Sequence, residues 1–63
     1  MKINKGETYG EFVRRVRRAA KLTQAEFAHR IGYTSVTISN WERGANIPLH
    51  SQKIVDEFAK TIK

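Results

Sequence analysis

Leu22-Thr23-Gln24-Ala25-Glu26-Phe27-Ala28-His29-Arg30-Ile31-Gly32-Tyr33-Thr34-Ser35-Val36-Thr37-Ile38-Ser39-Asn40-Trp41-Glu42-Arg43-Gly44 holds two short helical patterns with a glycine turn between them. Thr23 followed three residues later by Glu26 is a capping box: a threonine oxygen takes a free amide of the first turn and the carboxylate returns the bond. Phe27, Ala28 and Ile31 then share one stripe, and Gly32 stops the helix because a left-handed residue without a Cβ costs least there. Thr34 is a new N-cap candidate, followed by apolar Val36, Ile38 and Trp41 up to Gly44. These spacings predict helices over about 24–31 and 35–43. A turn of three or four residues containing glycine lets such helices meet at a steep angle, as in a helix-turn-helix.

Working outward, Thr8 and Glu11 form a second capping box. Behind it Tyr9, Phe12, Val13, Val16, Ala19 and Ala20 recur on one face of a 3.6-residue period, which predicts a helix over about 9–21 with arginines on its far side. Residues 1–7 lack apolar periodicity and read as a short basic lead-in, partly disordered. After Gly44 the chain reads as a loop to His50, with Ile47 held extended by Pro48. Ser51 is the cap candidate for a fourth helix over about 51–62, whose apolar face would be Ile54, Val55, Phe58, Ala59 and Ile62. The expected fold is therefore all-α: a compact bundle of about four short helices, one domain spanning 1–63, containing a helix-turn-helix.

The composition agrees with this and narrows the function. Sixty-three residues build one small domain, too small for a large enzyme cleft. Twelve Lys and Arg against six Asp and Glu give a formal charge of +6, which favours a polyanionic partner. Without cysteine there is neither a disulfide scaffold nor a thiolate metal site. Apolar runs never exceed two residues, such as Phe12-Val13, so a membrane span or signal-peptide core is not expected and the default location is the cytoplasm.

Leu22-Thr23-Gln24-Ala25-Glu26-Phe27-Ala28, Ile31-Gly32, Thr34, Ile38-Ser39-Asn40-Trp41-Glu42-Arg43-Gly44 and Pro48 resemble the phage repressor and Cro type (XRE-like) of helix-turn-helix domain. The resemblance runs from about Phe12 to Ile62. It implies a sequence-specific double-stranded DNA-binding transcription regulator, a repressor, with the helix over 35–43 in the major groove. It also implies roles for particular residues. Gln24 would lay its amide on a DNA phosphate, where a helix N-terminus also favours an anion, with Thr23 beside it. Ser35, Val36, Ser39 and Asn40 would face the bases, flanked by Thr34 and Thr37. Their i, i+4 spacing opposite Ile38 and Trp41 agrees with that placement. Asn40 can offer a bidentate amide to adenine and Val36 an apolar contact to a thymine methyl. Arg43 and Asn46 are further phosphate candidates. Relatives often carry Lys or Arg in the loop after the helix-three glycine, whereas this chain has Ala45 and Asn46.

Glu42 is out of place on a surface that meets phosphate, and the resemblance pairs it with Arg17 as a partly buried structural ion pair. Trp41 reads as core rather than as a platform for stacked bases. Residues 1–23 hold seven basic residues against two acidic ones. Of these, Arg14, Arg15, Arg17, Arg18 and Lys21 read equally as a solvated helix face and as a nucleic-acid surface. His29 and His50 lack a ligand partner, and the four glycines form no phosphate loop, so no metal, cofactor or catalytic residue is expected. Two other classes fit the same residues: an antitoxin-type or other protein-interaction module with secondary DNA binding, and a basic amphipathic peptide on acidic membranes. The expected partner is double-stranded DNA, met by one copy or by a homodimer, which could form only on DNA.

Overall fold

The computed structural model describes residues 1–62 and contains four α-helices: α1 (Tyr9–Ala19), α2 (Gln24–Ile31), α3 (Ser35–Glu42) and α4 (Leu49–Ala59). Both capping boxes form. Thr8 Oγ1 accepts from Glu11 N at 3.1 Å while a Glu11 carboxylate oxygen takes Thr8 N at 2.8 Å, and Thr23 and Glu26 repeat the pattern at the same distances. Gly32 has φ +83°, and Tyr33 N reaches back to the Ala28 carbonyl at 2.8 Å, so the chain turns directly into α3. Thr34 caps α3 through its hydroxyl on Thr37 N.

The core is a single apolar cluster of Phe12, Val13, Val16, Phe27, Ala28, Ile38, Trp41, Val55 and Ala59, each at most 4% exposed. Phe27 meets Phe58 edge-on at 5.2 Å and Tyr33 meets Trp41 at 4.9 Å, the geometry aromatic pairs prefer. Gly10, on the first turn of α1, lies against α3: a Cβ there would stand 2.2 Å from the Trp41 carbonyl oxygen. Only glycine permits so close a crossing. Among the described residues no helix is long and apolar enough to cross a membrane.

Several expectations need correction, the smallest being the third helix, which ends at Glu42 with Arg43 as its C-cap rather than at 43. The first helix ends at Ala19, short of residue 21, because Lys21 adopts φ +59° and Leu22 N closes onto the Arg17 carbonyl; Ala19 is accordingly exposed. The fourth helix starts at Leu49, with Pro48 as its N-cap and Gln52 N on the Pro48 carbonyl. Ser51 is not a cap. It is 1% exposed, and its hydroxyl pairs with Tyr33 Oη at 2.7 Å. That helix ends at Ala59, with residues 60 and 61 in a final turn, and its Ile54 is 38% exposed rather than core. Lys63, the last residue of the expected 1–63 domain, lies outside the described residues.

Residues 1–7 are tied down rather than free. Arg15 holds Glu7 through Nε at 2.9 Å and Nη2 at 3.0 Å, and the same Nη2 donates to the Lys2 carbonyl. These bonds hold the Glu7 carboxyl below its ordinary range. Tyr9 Oη donates into α4, where the Gln52 carbonyl and the Asp56 carboxylate lie within hydrogen-bond reach. Burial, and then the Asp56 carboxylate, push that phenol well above its usual pKa.

Candidate nucleic-acid interface

α3 divides into two faces because its turn is 3.6 residues. Ile38, Trp41 and Glu42 point inward and are buried, whereas Ser35, Val36, Asn40 and Arg43 are exposed and Ser39 is half-buried. Val36 stands 67% exposed, so its isopropyl group is open to solvent. Among the described residues the Asn40 amide has no hydrogen-bond partner, so both its donor and its acceptor are available. Ser39 Oγ accepts from Arg43 Nη2 at 2.9 Å, which lays the Arg43 guanidinium back along the helix. Thr34 and Thr37 hydroxyls meet at 3.1 Å at the start of α3, bound to each other as well as to the cap. Asn46 is exposed in the loop between α3 and α4.

The N-terminus of α2 meets the end of α3 through Gln24 and Glu42. Thr23 is its N-cap and Gln24 its first residue. Thr23 Oγ1 accepts the Glu26 amide, which leaves its own hydroxyl proton to give. Gln24 Nε2 donates to Glu42 Oε1 at 3.3 Å, using one of its two amide hydrogens.

Glu42 is the centre of the polar structure beneath. Its side chain is 1% exposed. Arg17 meets it with Nε on Oε2 at 2.7 Å and Nη2 on Oε1 at 3.1 Å, and Arg17 Nη1 goes to the Leu22 carbonyl at 2.9 Å. The guanidinium fork thus joins α1, the α1–α2 turn and the end of α3. A second arginine arrives as well: Arg14 Nε lies 3.2 Å from Oε1. Burial alone would raise the Glu42 carboxyl, but the bonds from Arg17, Gln24 and Arg14 outweigh it and hold the pKa below its ordinary value of 4.5. No buried side-chain nitrogen or oxygen among the described residues lacks a partner.

The structure thus brings Arg17 and Glu42 into contact and sets Ser35, Val36, Ser39 and Asn40 on one outward face, with Thr34 and Thr37 at its head and Arg43 at its foot. Arg14 as a partner of Glu42 was not singled out from the sequence. Its signal was present in the spacing: Arg14 precedes Arg17 by three, so both reach the same side of α1. Trp41 is in the core, at 4% exposure. The histidines His29 and His50 are exposed and no cluster of metal-ligating side chains is found among the described residues.

An arrangement of two short helices joined at a left-handed glycine, with the second exposing a polar face, is that of a helix-turn-helix. A family model described as a helix-turn-helix domain matches residues 8–62. The chain belongs to that family. No curated protein and no solved structure matches it significantly.

Proposed function

We propose that this chain is a sequence-specific double-stranded DNA-binding transcription regulator, acting as a repressor, that inserts α3 into the major groove. The observation that carries the reading is the outward face of α3: Ser35, Val36 and Asn40 are exposed and Ser39 half-buried on a helix whose other side is locked into the core. A free amide beside an exposed isopropyl group is what reading an adenine edge and a thymine methyl requires. The +6 charge supplies the sequence-independent attraction to the duplex. Thr23 and Gln24 at the start of α2, Thr34 and Thr37 at the start of α3, and Arg43 and Asn46 beyond its end are the donors that would grip the sugar-phosphate backbone. Arg17 and Glu42 keep α1 and α3 in register and touch no base.

Selection of bound sequences from a random duplex library, run in parallel on the wild type and on Asn40→Ala, tests this. The expected result is an enriched motif for the wild type and lost discrimination at one base pair for the variant, with a cost of roughly 1–3 kcal/mol on the preferred site. If two copies bind together, half-sites repeat about 34 Å apart along the duplex. An Asn40→Ala variant that binds uniformly more weakly with the same motif assigns Asn40 to the backbone and overturns the docking of α3.

A further inference from the structure

We infer that Arg14 is an additional ligand of the DNA backbone, held in place by Glu42 and sharing a phosphate with Gln24. The inference rests on the reading of the α2 N-terminus as a backbone contact. Arg14 Nε and Gln24 Nε2 donate to the same oxygen, Glu42 Oε1, at 3.2 and 3.3 Å. Their donor groups are therefore two hydrogen-bond lengths apart at most, although they come from different helices. Each has donors left over. Gln24 retains one amide hydrogen, and among the described residues nothing accepts from the two terminal nitrogens of Arg14, whose side chain is 46% exposed.

Charge decides what those donors are for. A carboxylate beside a phosphate repels it, but Arg17 meets both oxygens of Glu42 and is itself only 13% exposed. Arg17 and Glu42 cancel each other inside the fold, and Arg14 is left as an uncompensated cation at the surface. An arginine that served only the ion pair would turn its terminal nitrogens to the carboxylate, as Arg17 does with Nη2. Arg14 uses only Nε, and this leaves the planar pair of terminal nitrogens, which matches a phosphate's two oxygens, pointing away from its anchor. Glu42 acts here as a positioning residue: one oxygen orients two donors from two helices.

The test uses the full chain and the duplex selected by the wild type. Affinity is measured across a salt series for wild type, Arg14→Ala, Arg14→Lys, Gln24→Ala and Lys53→Ala, the last removing one exposed positive charge from α4. Arg14→Ala is expected to weaken binding about tenfold, as loss of one charge-assisted hydrogen bond does. It should also lower the slope of log affinity against log salt by about 0.9, the signature of one phosphate, with the sequence preference unchanged. Arg14→Lys keeps the charge but cannot hold Glu42 and a phosphate with separate nitrogens, so its slope returns while its affinity stays intermediate; it also gives the reading if Arg14→Ala folds poorly. A neutral methylphosphonate placed at successive positions should abolish the effects of Arg14→Ala and Gln24→Ala at one and the same phosphate. If Arg14→Ala loses no more than Lys53→Ala, or the two variants respond to different phosphates, the inference is overturned while the helix-three reading stands on Asn40. Wild-type protein that shows no salt-dependent duplex binding overturns both.

Discussion

Replacing Glu42 by alanine removes the acceptor of four hydrogen bonds at once and leaves two arginines beside each other. Arg17, at 13% exposure, would keep only its bond to the Leu22 carbonyl. Stranding one member of a buried ion pair costs about 3–5 kcal/mol. Arg17→Ala belongs at the low end of that range, about 3 kcal/mol, since Arg14 and Gln24 still serve the carboxylate. A 63-residue chain has in total about 3–9 kcal/mol of stability, so either change consumes a third or more of it. Thermal unfolding followed by circular dichroism reads this directly. A loss of 3 kcal/mol lowers Tm by roughly 12–24 °C in a domain of this size. The double variant Arg17→Ala/Glu42→Ala should be less damaged than the sum of the singles by about 2 kcal/mol, the coupling expected of groups in one network. Acid unfolding supplies a second readout. Glu42 has a lowered pKa in the folded state, so its contribution is present above the unfolded value near 4.5 and is lost as the pH falls through the folded value. Glu42→Gln, which carries no titrating group there, should flatten that acid limb, with a remainder from Glu7 and Glu26, whose carboxyls are also lowered. Single variants that add within about 0.5 kcal/mol, together with an acid limb unchanged by Glu42→Gln, would refute the reasoning.

Gly10→Ala should destabilise by about 3 kcal/mol, the upper end for overpacking, because the added Cβ meets the Trp41 backbone carbonyl rather than a movable side chain; helix propensity alone predicts the opposite sign by about 1 kcal/mol, so urea unfolding separates the two. Lys21→Gly should raise stability by up to about 1 kcal/mol, since φ +59° burdens any residue with a Cβ, and an unchanged or lowered denaturation midpoint would count against it. Tyr33→Phe should cost about 1–3 kcal/mol by leaving the buried Ser51 hydroxyl without its partner, and Ser51→Ala in the same background should recover most of that loss.

What the sequence made legible is what depends on near neighbours. Thr8 with Glu11, Thr23 with Glu26, and Gly32 fix the starts of α1 and α2 and the turn between α2 and α3 through bonds spanning three or four residues. The outward set on α3 came from the family resemblance, and the helical period that buries Ile38 and Trp41 agrees with it. The start of α4 was not legible: Leu49 is 75% exposed and His50 is exposed, so its first turn carries no apolar stripe, and its N-cap is a proline without a side-chain bond. The end of α1 was hidden for the opposite reason. Lys21 takes the left-handed conformation that glycine usually marks, and nothing in its side chain announces it. Gly10 against Trp41 and Ser51 against Tyr33 are contacts between distant parts of the chain, where one residue looks like a spacer and the other like a cap until packing joins them.

On the proposed docking, the Glu42 cluster joins stability and recognition in a chain this small. Among the described residues, a core of nine buried apolar side chains leaves no separate layer between the packed interior and the surface. The same carboxylate that locks α1 to α3 therefore also lies directly beneath Gln24 and Arg14. A change at Glu42 or Arg17 will weaken DNA binding simply by unfolding the frame, and a binding assay alone cannot tell that from a lost contact. Arg14 is where the two effects come apart. At 46% exposure its bond to Glu42 is worth at most about 1 kcal/mol to the fold, whereas a phosphate contact through its terminal nitrogens would appear in full in the salt dependence of binding. A variant there that melts like the wild type yet releases fewer counterions locates the backbone contact without disturbing the scaffold that holds it.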